Sequence, residues 1–92
     1  MTRTQVILFP VPGNLPELVR RTRKQQRLTV EAIARVIRVD ASWLAKLERG
    51  RWKSIDIGIA AKLARVLDEP AILAVAMRAA AEELRRLPQE AV

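Results

Sequence analysis

The sequence predicts an all-α domain of five short helices preceded by an N-terminal arm. Half of the 92 residues are hydrophobic but only three are aromatic, so Ala, Leu, Ile and Val must supply a core of packed helices. Apolar residues recur at spacings of three and four, the period of a helix with one buried face. A chain of this length is expected to form one domain with a modest core.

The arm comprises residues 1–15. Its VILF segment at 6–9 favours a short strand, and Pro10, Pro12 and Gly13 end any regular element there. The segment is too short and too weakly flanked for a signal peptide. No apolar run approaches the roughly 18–20 residues of a membrane span. We therefore expect a cytoplasmic protein that does not contact a membrane.

The first helix is expected to begin after Asn14 and to end near Arg27. Asn14 followed by Glu17 resembles a capping box, and Pro16 suits a first turn. Its inner side carries Leu15, Leu18 and Val19. Its outer side is basic and carries Arg20, Arg21, Arg23 and Lys24.

Two very short helices are predicted next, with Thr29 and Asp40 as their N-caps. The apolar residues of the second helix are Val30, Ile33, Ala34 and Ile37. In the third helix Leu44 and Leu47 face inward, and Gly50 ends it in a left-handed conformation. Helices under roughly 12 residues are marginal alone in water, so these two must pack on their neighbours.

The fourth and fifth helices complete the chain. Residues 51–55 are expected to form a loop, after which Asp56 caps the fourth helix. Its apolar residues are Ile57, Ala60, Leu63, Ala64 and Leu67. Asp68, Glu69 and Pro70 break this helix, and a last helix is expected near residues 70–87.

The net charge of +7 is concentrated in the middle of the chain. Residues 16–65 hold thirteen Lys/Arg and five Asp/Glu, whereas residues 66–92 hold three Arg and five acids. The basic middle favours a polyanionic partner, and the slightly acidic tail favours a protein partner. The alternative is that these charges only solvate the helix surfaces.

The chain has no Cys and no His, so we expect no metal, no cofactor and no enzymatic activity.

Two short helices joined by a tight turn describe a helix-turn-helix. The segments LTVEAIARVIRVDASWLAKLERG at 28–50 and KLARVLD at 62–68 resemble the Cro/CI-type (Xre-like) helix-turn-helix proteins. The matching positions are Leu28-Thr29, Ile33-Ala34, Val39-Asp40, Leu44-Ala45, Glu48 and Gly50. Two positions depart from the family pattern, because Arg38 replaces the usual turn glycine and Val30 replaces a glutamine that clamps a phosphate. The resemblance covers residues 16–68, the predicted DNA-binding domain.

The resemblance implies a five-helix Cro/CI repressor-like fold and a regulator that binds double-stranded DNA as a homodimer. A transcriptional repressor of phage, plasmid or antitoxin type is expected, with helix 41–49 in the major groove. The base-reading residues implied are Ala41, Ser42 and Lys46. The residues expected at the DNA backbone or groove edge are Arg23, Arg35, Trp43, Arg49, Arg51 and Lys53. The base-reading set is short of bidentate readers such as Gln, Asn or Arg, so some specificity is expected from DNA shape. In the same family Glu48 is structural and pairs near the helix end.

Dimerisation is assigned to the C-terminal segment, residues 69–92, reinforced by an arm that crosses to the partner. The predicted dimer surface consists of Ile72, Leu73, Ala76, Ala80, Leu84 and Leu87. The arm or this helix could also meet a different protein partner, or both could complete the monomer's own core. A second function stays open, namely a protein-interaction module that uses the same fold without DNA, as in bacterial cytoskeletal adaptors.

Overall fold

The computed structural model of the chain describes residues 7–86 and confirms the five helices and the strand in the arm. The strands are β1 (Leu8–Pro10) and β2 (Ser54–Asp56). The helices are α1 (Leu15–Gln25), α2 (Val30–Ile37), α3 (Ala41–Glu48), α4 (Ile57–Val66) and α5 (Pro70–Arg86). Within residues 7–86, no helix is both long enough and apolar enough to cross a bilayer.

The arm pairs with the segment that follows α3. Strands β1 and β2 are antiparallel, with Phe9 opposite Ile55, and both of these side chains are buried. The backbone N–H of Val11 donates to the carbonyl of Lys53 at 2.9 Å, which extends the pairing beyond the strand. The prediction that residues 51–55 form only a loop is therefore wrong at 54–55. The strand partner lies far away in sequence, so local patterns could not reveal it.

One core unites the arm, the helix-turn-helix and the C-terminal helix. Besides Phe9, Ile55 and Leu67, which follows α4, it contains fully or nearly fully buried residues from every helix, namely Leu15, Val19, Ile33, Ala34, Ile37, Leu44, Leu47, Ala60, Leu63, Ala64, Ile72, Ala76 and Ala79. Helix α5 packs on α4, α1 and β1. Residues 7–15 and the described part of 69–92 are therefore structural parts of the same unit as residues 16–68.

The predicted N-caps have the right positions, but only one of them makes a capping bond. The Thr29 hydroxyl oxygen accepts a hydrogen bond from the Ala32 N–H at 3.0 Å. Asn14, Asp40 and Asp56 precede their helices without accepting such a bond. The Asp56 carboxylate instead accepts from the Ile7 N–H at 3.1 Å, so it fastens the arm.

The turn between α2 and α3 keeps the geometry that glycine usually provides. Arg38 has φ 62° and ψ 50°, which is the left-handed helical region, and the Val39 N–H bonds to the Ala34 carbonyl at 3.0 Å. Gly50 ends α3 with φ 71°, as predicted. A side chain in the left-handed region is strained by about 1–2 kcal/mol, so Arg38 stores conformational energy in this turn.

Replacing Arg38 by glycine is expected to raise the free energy of unfolding by about 0.5–1 kcal/mol, because the relief of strain exceeds the added entropy of the unfolded chain. Arg35→Gly is the matched control. It places the same residue inside α2, where it is expected to lower stability by about 0.5–1 kcal/mol. Urea unfolding followed by circular dichroism measures the free energy of unfolding of both variants. A loss of stability in Arg38→Gly would show that the turn is unstrained.

Candidate nucleic-acid interface

Helix α3 is anchored by its inner face and open on its outer face. Leu44 and Leu47 are fully buried, which confirms the predicted register of this helix. Ser42, Lys46 and Arg49 are exposed on the opposite side. Since the inner leucines fix the rotation of the helix, the polar face is held outward in one orientation.

An open cleft lies between α3 and the N-terminal end of α2. On the α3 side it is lined by the small residues Ala41, Ser42 and Ala45, and on the other side by residues 28–31. A second depression continues along α3 to Arg49 and reaches Arg20 on α1. Together they form a concave surface along the exposed face of α3. The lining by residues 28–31 was not predicted, because it depends on how α2 crosses α3.

A largely buried ion pair between α1 and α3 lies at the bottom of this surface. The Arg23 Nε and Nη2 atoms donate to the two Glu48 oxygens at 2.7 and 2.9 Å, and Nη1 donates to the Leu28 carbonyl at 2.9 Å. The side chains of Arg23 and Glu48 are only 14% and 6% exposed. The pKa of Arg23 is raised, chiefly by its hydrogen bond to Glu48.

This ion pair gives Arg23 a structural role. Its guanidinium is engaged within the chain through three nitrogens, which holds α3 in position. The contact with a DNA phosphate that the resemblance implies for Arg23 stays a prediction. The pairing implied for Glu48 is confirmed. A bidentate pair between these two side chains is the strong form of a charge-assisted hydrogen bond, so it fixes α3 relative to α1 and to the start of α2.

Two tryptophans form the flank of α3 that faces away from the cleft. Trp43 and Trp52 stack with ring centroids 5.8 Å apart and planes at 27°. The Trp52 indole N–H donates to the Trp43 carbonyl at 3.0 Å, and the Lys46 ammonium lies 5.9 Å from the Trp52 ring centroid. Both rings are half-buried. This cluster was not predicted, since Trp52 reaches Trp43 only because the chain reverses at Gly50.

The other cations that were predicted at the DNA backbone or groove edge lie in two places. Arg49, Arg51 and Lys53 are exposed at the end of α3 and in the segment that follows it. Pairing of the Lys53 carbonyl with Val11 holds that segment beside the arm. Arg35 is also exposed, but it lies on α2 and does not line the cleft beside α3. Ser42, Lys46, Arg49, Arg51 and Lys53 are thus exposed on α3 or just after it in the chain, whereas Arg35 is exposed on α2.

The predicted dimer surface is wrong at two positions. Ile72 and Ala76 are fully buried in the monomer's own core, and Leu73 and Ala80 are partly buried. Leu84 is exposed, and Leu87 lies outside the described residues. In its described part the arm packs on its own chain, because Phe9 is buried and β1 pairs with β2, and a crossing of the arm to a partner stays a prediction.

Comparison with known families adds one match. A family described as a helix-turn-helix domain matches residues 15–77, from the first residue of α1 into α5. This is more than half of the chain and includes the whole α2–turn–α3 unit. The match is to helix-turn-helix domains and does not single out the Cro/CI type. No curated protein and no solved structure matches the chain significantly.

Proposed function

The chain belongs to the helix-turn-helix domain family, which indicates a DNA-binding regulator, and from this we propose that it is a sequence-specific transcriptional repressor of the Cro/CI type. In this proposal α3 enters the major groove of double-stranded DNA. The observation that carries it is the exposed face of α3, where small side chains and cations lie together above a rigid floor. A major groove about 12 Å wide admits one helix, and small residues allow a close approach.

Electrostatics support the same orientation. Of the cations near α3, Arg20 borders the concave surface, and Arg49, Arg51 and Lys53 follow its C-terminal end. Glu48 is neutralised by Arg23, so it does not oppose a phosphate. Cations placed on both sides of an inserted helix contact the phosphates that flank the groove and set the register of the protein.

Base recognition is proposed for Ser42 and Lys46, with Ala41 in contact with a thymine methyl. A serine hydroxyl can donate or accept, and a lysine ammonium can reach guanine O6 and N7. Ser42 lines the cleft beside Ala41, and Lys46 lies one turn farther along α3. The proposed readers include no Asn, Gln or Arg, so DNA shape is expected to contribute to specificity.

Selection of bound sequences from a random duplex pool tests this function. We expect a consensus for the parent protein, and changed preference at one base pair, by about 1–3 kcal/mol, for Ser42→Ala and for Lys46→Ala. Arg51→Ala is the matched control, because loss of a phosphate contact weakens all sequences alike.

The possible outcomes test DNA recognition and the role of Lys46 separately. No enrichment of any sequence by the parent would contradict DNA recognition and favour the protein-interaction module. A consensus that Lys46→Ala weakens uniformly, as Arg51→Ala does, would leave DNA binding intact but remove Lys46 from base reading.

We further propose that the protein is a homodimer that uses the outer stripe of α5, defined by Leu73, Met77, Ala80 and Leu84. These residues repeat at spacings of four, three and four, which is the pattern of a helix–helix seam. Met77 and Leu84 are 55% and 66% exposed although they are large and apolar. The exposed neighbours Ala74 and Ala81 are small and uncharged, so a second helix can approach closely. Dimerisation would supply the second helix-turn-helix that a two-fold operator requires.

Met77→Lys combined with Leu84→Lys is expected to give a monomer in light scattering, because two charges would have to be buried in the seam. Loss of avidity should then weaken binding to a two-half-site duplex by at least about tenfold. Val36→Lys combined with Ala61→Lys adds the same charge at exposed sites outside α5 and controls for electrostatics. An unchanged mass in the α5 variant would exclude this stripe as the dimer surface.

A further inference from the structure

A groove separate from the α3 face lies between the C-terminal end of α2 and the outer side of α4. Its volume is about 370 Å³, at the small end of the range for ligand sites. It is lined by Val36, Ile37, Arg38, Lys62, Arg65 and Val66. No residue of α3, or of the segment that follows α3, lines it. A groove of this size can hold one or two side chains of a partner.

The groove has an uncovered apolar patch. Val36 is 63% exposed, and Val66 lies beside it at the same groove. Four other large apolar side chains are exposed within residues 7–86, and all of them lie in the arm or on α5. Val36 is therefore the exposed large apolar residue of the helix-turn-helix itself. Covering an aliphatic side chain with another apolar group is favourable in water.

The rim of the groove is basic. Arg38, Lys62 and Arg65 line it, and no acidic residue does. None of these three cations belongs to an ion pair within the described part of the chain. The backbone of Arg38 is in the left-handed conformation, which glycine would adopt without strain.

We infer that this groove docks a short acidic segment of a partner protein, with an aliphatic side chain inserted between Val36 and Val66. Carboxylates on either side of that side chain would face Arg38, Lys62 and Arg65. This occupant matches both features of the groove, since it covers the apolar patch and supplies charges opposite to the rim. Duplex DNA matches only one of them, because a phosphate backbone has no aliphatic group for the valines.

The probe is a nine-residue synthetic peptide with two leucines flanked by aspartates and glutamates. Titration into ¹⁵N-labelled protein is expected to shift the backbone amides of the groove residues and to leave those of α3 in place. Two further peptides test the two features separately, one with serines in place of the leucines and one with amides in place of the acids. Each is expected to bind at least about tenfold more weakly, as when one anchor of an interface is lost.

Lys62→Glu combined with Arg65→Glu should abolish the peptide-induced shifts. Arg78→Glu combined with Arg85→Glu is the matched control, because it lowers the net charge from +7 to the same +3 at exposed positions of α5 outside the groove. The control should bind the peptide nearly as well as the parent. All four changes are at exposed helix positions, and circular dichroism verifies folding.

Three results would overturn the inference. The first is the absence of any shift of the groove amides on addition of the acidic peptide. The second is an equal loss of peptide binding in the two double variants, and the third is a shift of the groove amides by a duplex without the peptide. The last result would assign the cations to phosphate contact. All three are independent of the proposed repressor function, which the duplex selection tests through α3.

Discussion

Phe9→Ala is expected to lower the free energy of unfolding by about 3–5 kcal/mol, which is a large part of the stability of a domain this small. Phe9 is fully buried, and its strand pairs with β2, so removing the ring leaves a cavity where the arm meets the core. Loosening of β1 would also release the segment around Lys53, which the arm holds through the Val11 hydrogen bond. DNA affinity is therefore expected to fall together with stability.

Leu8→Ala is the matched control for this change. Leu8 is adjacent in the same strand but 57% exposed, so its truncation removes little buried surface and is expected to cost less than about 1 kcal/mol. Urea unfolding followed by circular dichroism compares the two variants. Equal and small effects would mean that the arm does not belong to the core in solution.

Glu48→Ala is expected to destabilise the domain by about 2–3 kcal/mol, because it leaves the largely buried guanidinium of Arg23 with only the Leu28 carbonyl as a partner. The same change should weaken DNA binding at temperatures where the domain is still folded, since α3 would lose its tie to α1. Chemical unfolding gives the first quantity, and titration with the selected duplex gives the second.

Two further variants separate the effect of breaking the Arg23–Glu48 pair from other effects of the substitution. Glu17→Ala breaks the exposed Glu17–Arg20 pair, whose side chains are 61% and 49% exposed, and is expected to cost less than about 1 kcal/mol. Arg23→Leu combined with Glu48→Leu removes both buried charges and should recover most of the stability lost in Glu48→Ala. If the double variant were as unstable as the single one, packing rather than an unpaired charge would explain the loss.

The helix-turn-helix could be predicted from the sequence because its information is local. The apolar spacing of α2 and α3, the cap at Thr29 and the glycine at position 50 act within one or two turns of the chain. The inward direction of Leu44 and Leu47 follows from the same spacing, so the outer face of α3 was predictable as well. The fold class and the exposure of Ser42 and Lys46 rest on this kind of signal.

In helix α5, the helical spacing of the apolar residues does not show which side of the helix is buried. It carries two adjacent apolar stripes, one with Ile72, Ala76 and Ala79 and the other with Leu73, Met77, Ala80 and Leu84. Both stripes satisfy helical spacing, and the predicted dimer surface contains members of each. Packing against α4, α1 and β1 buries the first stripe and leaves Met77 and Leu84 of the second exposed.

By itself, the sequence determined the five helices, their inner faces in the helix-turn-helix and the basic character of the middle of the chain. Only the tertiary structure decided that β1 pairs with β2, that Trp52 stacks on Trp43 and that Arg23 forms an ion pair with Glu48. Each of these contacts joins residues from different elements. The spacing of residues along one helix specifies which side is apolar, whereas a pairing between elements depends on how the closed core brings them together.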